Sequence, residues 1–240
     1  MSLPKTMDKK EVYFKKRKQA VRILADVGMT GLLPLLMAYS LIGEAVHEWM
    51  GIFMLLLFIL HHALNFSWYR NLFRGHYSFS RILRTISALL LIPVMLALPV
   101  SGIMMSRHIF SGLGGSLSFA RTVHLFASYW GVLMSLHMGL HWRMAVGMAG
   151  NLCGRKKMGR TGILLLRIVF LFIALYGVYA FVRRQIGSYM FLQNQFVFFD
   201  FWEPRIFFFI DYLAVMCLFA VCGYYIVGGA ALLEKRRKRA

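Results

Sequence analysis

A chain of 240 residues with 59% hydrophobic and 15% charged side chains, and a mean hydropathy of +0.63, lacks the polar surface that a soluble domain of this size needs. Its 28 Lys and Arg against nine Asp and Glu give a net charge of +19, which an anionic membrane surface accommodates as readily as nucleic acid does. Three Cys without a CxxC pair or CxxCH exclude a disulfide framework, a zinc ribbon and covalently attached c-type haem, and leave eight His as the surplus to be explained.

The chain opens on a polar, basic segment, MSLPKTMDKKEVYFKKRKQAVR (1–22), which is longer than the charged start of a signal peptide and precedes no small-residue cleavage site, so an uncleaved tail is expected. Apolar stretches follow at about 23–45, 47–67, 85–106, 124–146, 163–182 and 206–231. Each is long enough to cross a hydrocarbon core of roughly 30 Å, which takes about 20 helical residues. Runs such as LLPLLMAYSLI, FMLLLFIL and LLLIPVMLAL are continuously apolar rather than alternating, so helices and not a barrel must satisfy their backbone groups. The predicted fold is all-α: a polytopic bundle of six transmembrane helices. Residues 23–146 form a four-helix core, 147–162 a basic loop, 163–232 two further helices joined by an outer aromatic loop, and 233–240 a basic tail.

All but five of the 28 basic residues fall in 1–22, near 70–84, in 143–167 and in the terminal EKRRKRA. The five are Arg107, Arg121, Arg183, Arg184 and Arg205. The positive-inside rule then predicts both termini in the cytoplasm, with the connections at 46, 107–123 and 183–205 outside. Topology and contact with anionic lipid explain the charge without nucleic acid.

The first two predicted helices resemble the next two. PLLMAYSLIG sets Pro34 nine residues before Gly43, as PVMLALPVSG sets Pro93 before Gly102, and LHHALNFSW aligns with LHMGLHWRM, placing His61 on His137 and Asn65 on His141. Two similar hairpins facing one another can supply ligands to a shared cofactor from both sides.

His47 opens the second predicted helix and His61 follows 14 residues later, on nearly the same face and about 21 Å along the axis. His124 opens the fourth, and His137 follows 13 later. Both helices run inward, so His47 pairs with His124 at an outer level and His61 with His137 at an inner one. Imidazoles inside a membrane are costly, and bis-histidine pairs between facing helices hold haem iron in bundles. A straight helix leaves His137 roughly 140° out of phase with His124. His141 is better in phase but deeper, and stays open as the inner ligand.

The spacings of 14 and 13 resemble those of the ferric reductase and NADPH oxidase transmembrane family. The segments HEWMGIFMLLLFILHHALNFSW, SGIMMSRHIF and HLFASYWGVLMSLHMGLHW resemble the bacterial flavinylation-associated b-type cytochromes over about 23–146, continuing through FLQNQFVFFDFWEPRIFFFIDYLAVMCLF. This resemblance implies a b-type cytochrome of the bacterial cytoplasmic membrane with two b-type haems, passing electrons to or from a redox partner such as an extracytoplasmic FMN-binding protein, with quinol as another possible donor. Unlike ferric reductases, the chain carries no FAD or nucleotide domain before residue 240.

Around the four histidines, Gly51 and Gly131 would let a flat macrocycle approach, though small-residue helix packing explains either alone. Arg107 and Arg121 are candidate propionate partners at the outer level, or plain loop residues. His62, about 100° from His61, reads as a helix-contact residue, His141 as a cofactor-site residue that orients His137 or contacts a propionate, or else simply packs, His108 as a reserve outer ligand and His76 as solvated. Trp68, Tyr69, Trp130 and Trp142 read as interface or core aromatics. Asp26 and Asp211 lie near helix ends, Asp211 being a candidate for proton or quinol chemistry or for pairing with Tyr or Arg. Cys153, Cys217 and Cys222 have no ligand spacing, and the 16 Met read as filling. Two other classes stay open: a membrane-anchor subunit with one haem or a structural role, and a metal transporter or metallohydrolase. The second needs acids near the histidines, where Glu48 stands alone and HEWMG lacks the second His of HExxH.

Overall fold

The computed structural model describes residues 9–112, 117–153 and 159–237, and every regular element among them is helical. The terminal segments 1–8 and 238–240 and the basic cluster 154–158 lie outside the described residues, as does the side chain of Cys153. Helix α1 (Lys9–Met37) starts well before the apolar run, because Lys, Arg and Gln are good helix formers and carry the helix on through the basic segment. Pro34 lies within it, and three residues later it gives way to the short α2 (Tyr39–Ile42) and to Gly43, whose φ of +82° suits a residue without Cβ. Helix α3 (Glu44–Leu64) follows, then α4 (Phe66–Arg70). Ser78 caps α5 (Phe79–Met105), its hydroxyl accepting from the Arg81 N–H.

Helices α1 (from Tyr13), α3 and α5, with α8 (Arg160–Arg183) and α10 (Arg205–Arg237), are five helices long and apolar enough to cross a membrane, which makes this a multi-pass membrane chain. The remaining predicted span, 124–146, is divided. Helix α6 (Leu117–Trp130) begins seven residues before His124, which therefore lies inside a helix and does not open one. It breaks at Gly131, and α7 (Val132–Cys153) resumes at once. The break has a local cause. The Ser128 hydroxyl donates to the His124 and Leu125 carbonyls at 2.5 and 3.2 Å, and the Gly131 N–H closes a tight turn on the Ser128 carbonyl at 3.1 Å. A Cβ at Gly131 would lie 2.8 Å from that carbonyl and 3.4 Å from Leu33 Cδ1.

Pairings between helices set their directions. At one end Arg22 bonds the Leu64 carbonyl, Arg84 the Leu140 carbonyl, and the Phe79 N–H the Glu234 carboxylate. At the other end Glu48 meets residues 106–109, and Arg183 and Arg184 meet Asp211. Helices α1, α5 and α8 thus run one way, and α3, α6–α7 and α10 the other. The prolines aligned in sequence both stay inside helices, but Gly43 turns the chain while Gly102 remains within α5.

Between lipid-like surroundings and protein there is no hydrophobic difference to exploit, so helix association depends on close backbone approach at small residues. Helix α10 is wedged on that principle. A Cβ on Gly139 would overlap the Ala220 carbonyl, one on Gly223 the Leu136 carbonyl, and one on Gly177 the Ala214 carbonyl. On α8 only Ala174, Gly177 and Ala180 are buried, at a spacing of three, while Leu171, Phe172, Leu175, Tyr179 and Val182 point outward. Short α9 (Ile186–Met190) then tucks Ile186, Tyr189 and Met190 under α6.

Gly139→Ala is expected to lower the thermal stability of the detergent-purified chain by about 1–3 kcal/mol, read as a lower Tm. Gly147→Ala, whose new Cβ meets nothing within 4 Å, is expected to leave Tm unchanged.

Candidate functional site

The antiparallel helix pairs bring the four spaced histidines toward the bundle interior at two levels. At the first, the rings of His47 on α3 and His124 on α6 face each other with centroids 6.0 Å apart and planes 65° from parallel. Two imidazoles bound to one metal at about 2 Å each have ring centres roughly 6 Å apart. His124 Nδ1 is 3.2 Å from the Leu98 carbonyl and 3.0 Å from the Ser101 hydroxyl. The carbonyl can only accept, and the hydroxyl already donates to Ala97 at 2.6 Å, so this network assigns the proton to Nδ1 and leaves Nε2 with a free lone pair. His47 interacts with the Leu36 carbonyl and stacks edge-on against Tyr39 at 5.2 Å, but its buried Nδ1 has no partner in hydrogen-bond geometry. Gly102 lies against His124, where a Cβ would sit 3.7 Å from Cε1, and Gly51, one turn beyond His47, faces open space.

At the second level the Nδ1 hydrogen bonding of the rings recurs. His61 Nδ1 is 2.6 Å from Asp26 Oδ1, and His137 Nδ1 is 2.9 Å from the Ser87 hydroxyl, which donates to the Arg84 carbonyl at 2.9 Å. Both rings are therefore assigned Nδ1–H, with Nε2 unprotonated. Three of the four rings share the tautomer and outer hydrogen bond that orient a metal-ligating imidazole. His141 lies 4.5 Å from His137, centroid to centroid, and its buried Nε2 has no partner. The phase mismatch between His124 and His137 disappears, because the break at Gly131 separates them and resets the helical face.

Between the levels lies a dry layer of Met29, Leu32, Leu33, Met54, Met95, Met134 and Met216. Met54 is midway along α3 between His47 and His61, Met95 lies between Ser87 and Ser101, and Met134 between His124 and His137. The flexible thioethers fill irregular space that rigid side chains would leave void.

The polar partners were missed in the sequence, although Ser87 and Ser101 stand 14 residues apart, matching the His47–His61 interval. Asp26, expected near a helix end, is in the middle of α1. His62 is held by Tyr69, Nδ1 to hydroxyl at 2.6 Å, and meets Phe58 edge-on. Burial holds the Tyr69 phenol above its ordinary range, so it stays protonated at neutral pH. Glu48 is fully engaged: its carboxylate accepts from Ser106 at 2.8 Å and from the N–H groups of Arg107 and Ile109 at 2.9 and 3.0 Å, tying α3 to the turn after α5. Arg107 is exposed and pairs with Glu44 at 3.6 Å, and His108 is 4.0 Å from the same carboxylate. Arg121 lines a surface cavity of about 250 Å³ with Thr122, Gln195 and Phe196. Arg81 bonds the backbone carbonyl of His76 at 3.3 Å.

Asp211 takes the paired reading. Fully buried, it accepts from the Tyr176 hydroxyl at 2.6 Å and Arg184 Nε at 2.7 Å, with Arg183 at 3.4 Å, while Glu203 bridges both arginines at 2.6 Å. Burial works against the Arg184 charge, but the bonds to Glu203 and Asp211 outweigh it and hold the guanidinium above its usual value. Trp130 donates to the Met190 carbonyl at 2.9 Å, and Cys217 and Cys222 are free thiols.

No protein-family model, no curated protein and no solved structure matches this chain.

Because Asp211 is wholly enclosed, Arg184→Gln is expected to destabilise the chain by about 3 kcal/mol or more, leaving a buried carboxylate undercompensated. The double variant Arg184→Gln, Asp211→Asn is expected to recover part of that loss in the same thermal denaturation.

Proposed function

We propose that this chain is a diheme b-type cytochrome of the bacterial cytoplasmic membrane, in which α6 and α7 together make a sixth, broken crossing. The observation that carries the reading is the matched presentation of imidazoles: at two depths, rings fixed through Nδ1 by Leu98 and Ser101, Asp26 and Ser87 keep Nε2 as a lone-pair donor. His47 and His124 would hold the outer haem, and His61 and His137 the inner. His137 is preferred over His141 because its Ser87 partner repeats the Ser101 partner of His124. Haem supplies a one-electron iron couple when bound. The chain orients the rings, excludes water through the methionine layer and keeps the two levels apart.

Gly51 lies where open space adjoins the outer level, whereas Gly131 permits the helix break. Arg121 is the better of the two candidate outer propionate partners, since Arg107 is engaged with Glu44. The basic end of the bundle faces the cytoplasm by the charge rule, with both termini there. Electrons would pass between a cytoplasmic or quinol donor and an extracytoplasmic acceptor, a flavoprotein by the resemblance of the sequence.

Protein expressed with abundant haem is expected to show reducible Soret and alpha bands and two haems per chain. One haem would instead support the membrane-anchor reading, and the absence of both bands would falsify haem binding. His47→Ala and His61→Ala are each expected to remove or perturb a different haem. Since a carboxylate acceptor makes its imidazole a stronger donor to the metal, Asp26→Asn is expected to raise the midpoint potential of one haem, leaving the other and the haem count unchanged.

A further inference from the structure

The basic-rich end of the bundle carries a charge cluster that neither the fold nor the haem reading requires. Arg143 on α7 and Arg167 on α8 gather at Tyr224 on α10, with Arg84 on α5 beside Arg143. The Arg84 Nε donates to the Leu140 carbonyl at 3.1 Å, which anchors the side chain and leaves its terminal nitrogens available. The Arg143 guanidinium sits 5.3 Å from the Tyr224 ring centre, and Arg143 and Arg167 both lie near enough for their charges to act on the Tyr224 hydroxyl. Arg84 and Arg143 are close enough for their charges to act on each other. Among the described residues none of the three arginines forms an ion pair with a carboxylate. Glu234, at the same end of α10, is instead used on the Phe79 N–H. Gly228 lies beside the Arg143 guanidinium, a Cβ there being in ordinary contact with its Nη2 at 3.6 Å.

Three like charges brought together from three helices repel one another unless an anion joins them. Where the cluster opens decides which anion. Arg143 and Arg167 are exposed on the outer surface of the bundle, next to the exposed apolar side chains Leu164, Ile168 and Met144, so the site looks into the rim of the bilayer and not into the interior. Guanidinium groups bind phosphate oxygens through paired N–H donors, and basic pockets between membrane helices on the cytoplasmic side are suited to phospholipid headgroups.

We infer that Arg84, Arg143, Arg167 and Tyr224 form a binding site for the phosphodiester headgroup of an anionic phospholipid in the leaflet at the basic end of the bundle. The Tyr224 hydroxyl lies among the guanidinium groups as a further polar contact for the headgroup, and the acyl chains would run along the exposed faces of α7 and α8. The inference needs only a membrane-embedded chain and stands or falls separately from haem binding.

The test is native mass spectrometry of the full detergent-purified chain titrated with phosphatidylglycerol, phosphatidylcholine or inorganic phosphate. One phosphatidylglycerol is expected to be retained in preference to phosphatidylcholine. Arg143→Gln with Arg167→Gln should weaken that binding by about fivefold per arginine, whereas Arg236→Gln with Arg237→Gln, at the same end but outside the cluster, should leave it intact. Circular dichroism and gel filtration establish that the variants are folded. Equal loss in both double variants would mean diffuse surface attraction and overturn the site. So would competition by inorganic phosphate at the lipid's own concentration, or unchanged lipid retention with lost haem, which would make the cluster a propionate clamp.

Discussion

Inside a hydrocarbon slab an imidazole has no water to bond, so a protein group must satisfy its polar nitrogens, and the bundle is organised by where those groups stand. Helices α1 and α5 run opposite to α3 and α6–α7, and each of the first pair supplies acceptors to the second. Asp26 faces His61, while Ser87, Ser101 and the Leu98 carbonyl face His137 and His124. Sliding α5 by one helical turn would strand the His124 and His137 rings, and sliding α1 would strand His61. These contacts therefore set the axial register of the four helices more firmly than apolar packing, which is nearly indifferent to such a shift.

The two levels differ in kind. An ionisable carboxylate backs His61, whereas the other paired rings lean on neutral oxygens. The methionine layer between them is an apolar filling that holds the two levels apart. The end that holds Glu48 is braced from both sides, Glu48 gathering the turn after α5 and the Arg183–Arg184–Glu203–Asp211 lattice locking α8 to α10. The acids at this end are thus largely consumed by structure, whereas the opposite end presents arginines without carboxylate partners.

Helices α8 and α10 are outside the internal similarity, and their packing explains their presence. α10 lies between α7 and α8 at backbone contact through Gly139, Gly177 and Gly223, covering the flank of α7 that carries Leu136, Gly139 and Leu140. The aromatic connection that follows α8 is divided: Ile186, Tyr189 and Met190 are interior, whereas Phe198, Phe201 and Trp202 are exposed.

The amino-acid sequence by itself determined the helical class, the apolar spans, the asymmetry of basic charge and the placement of four histidines at two depths, because hydropathy, charge and residue spacing along a helix are local quantities. It left the phase of His137 unresolved, since a break at Gly131 depends on the Ser128 hydroxyl choosing the His124 carbonyl and on Leu33 approaching from another helix. It was silent on which serines and which acid back the rings, on the capture of Glu48 and Asp211 into structural networks, and on the gathering of Arg84, Arg143 and Arg167. Those are pairings between residues up to about 80 positions apart in the chain. Only tertiary packing, which fixes helix direction and register, decides them.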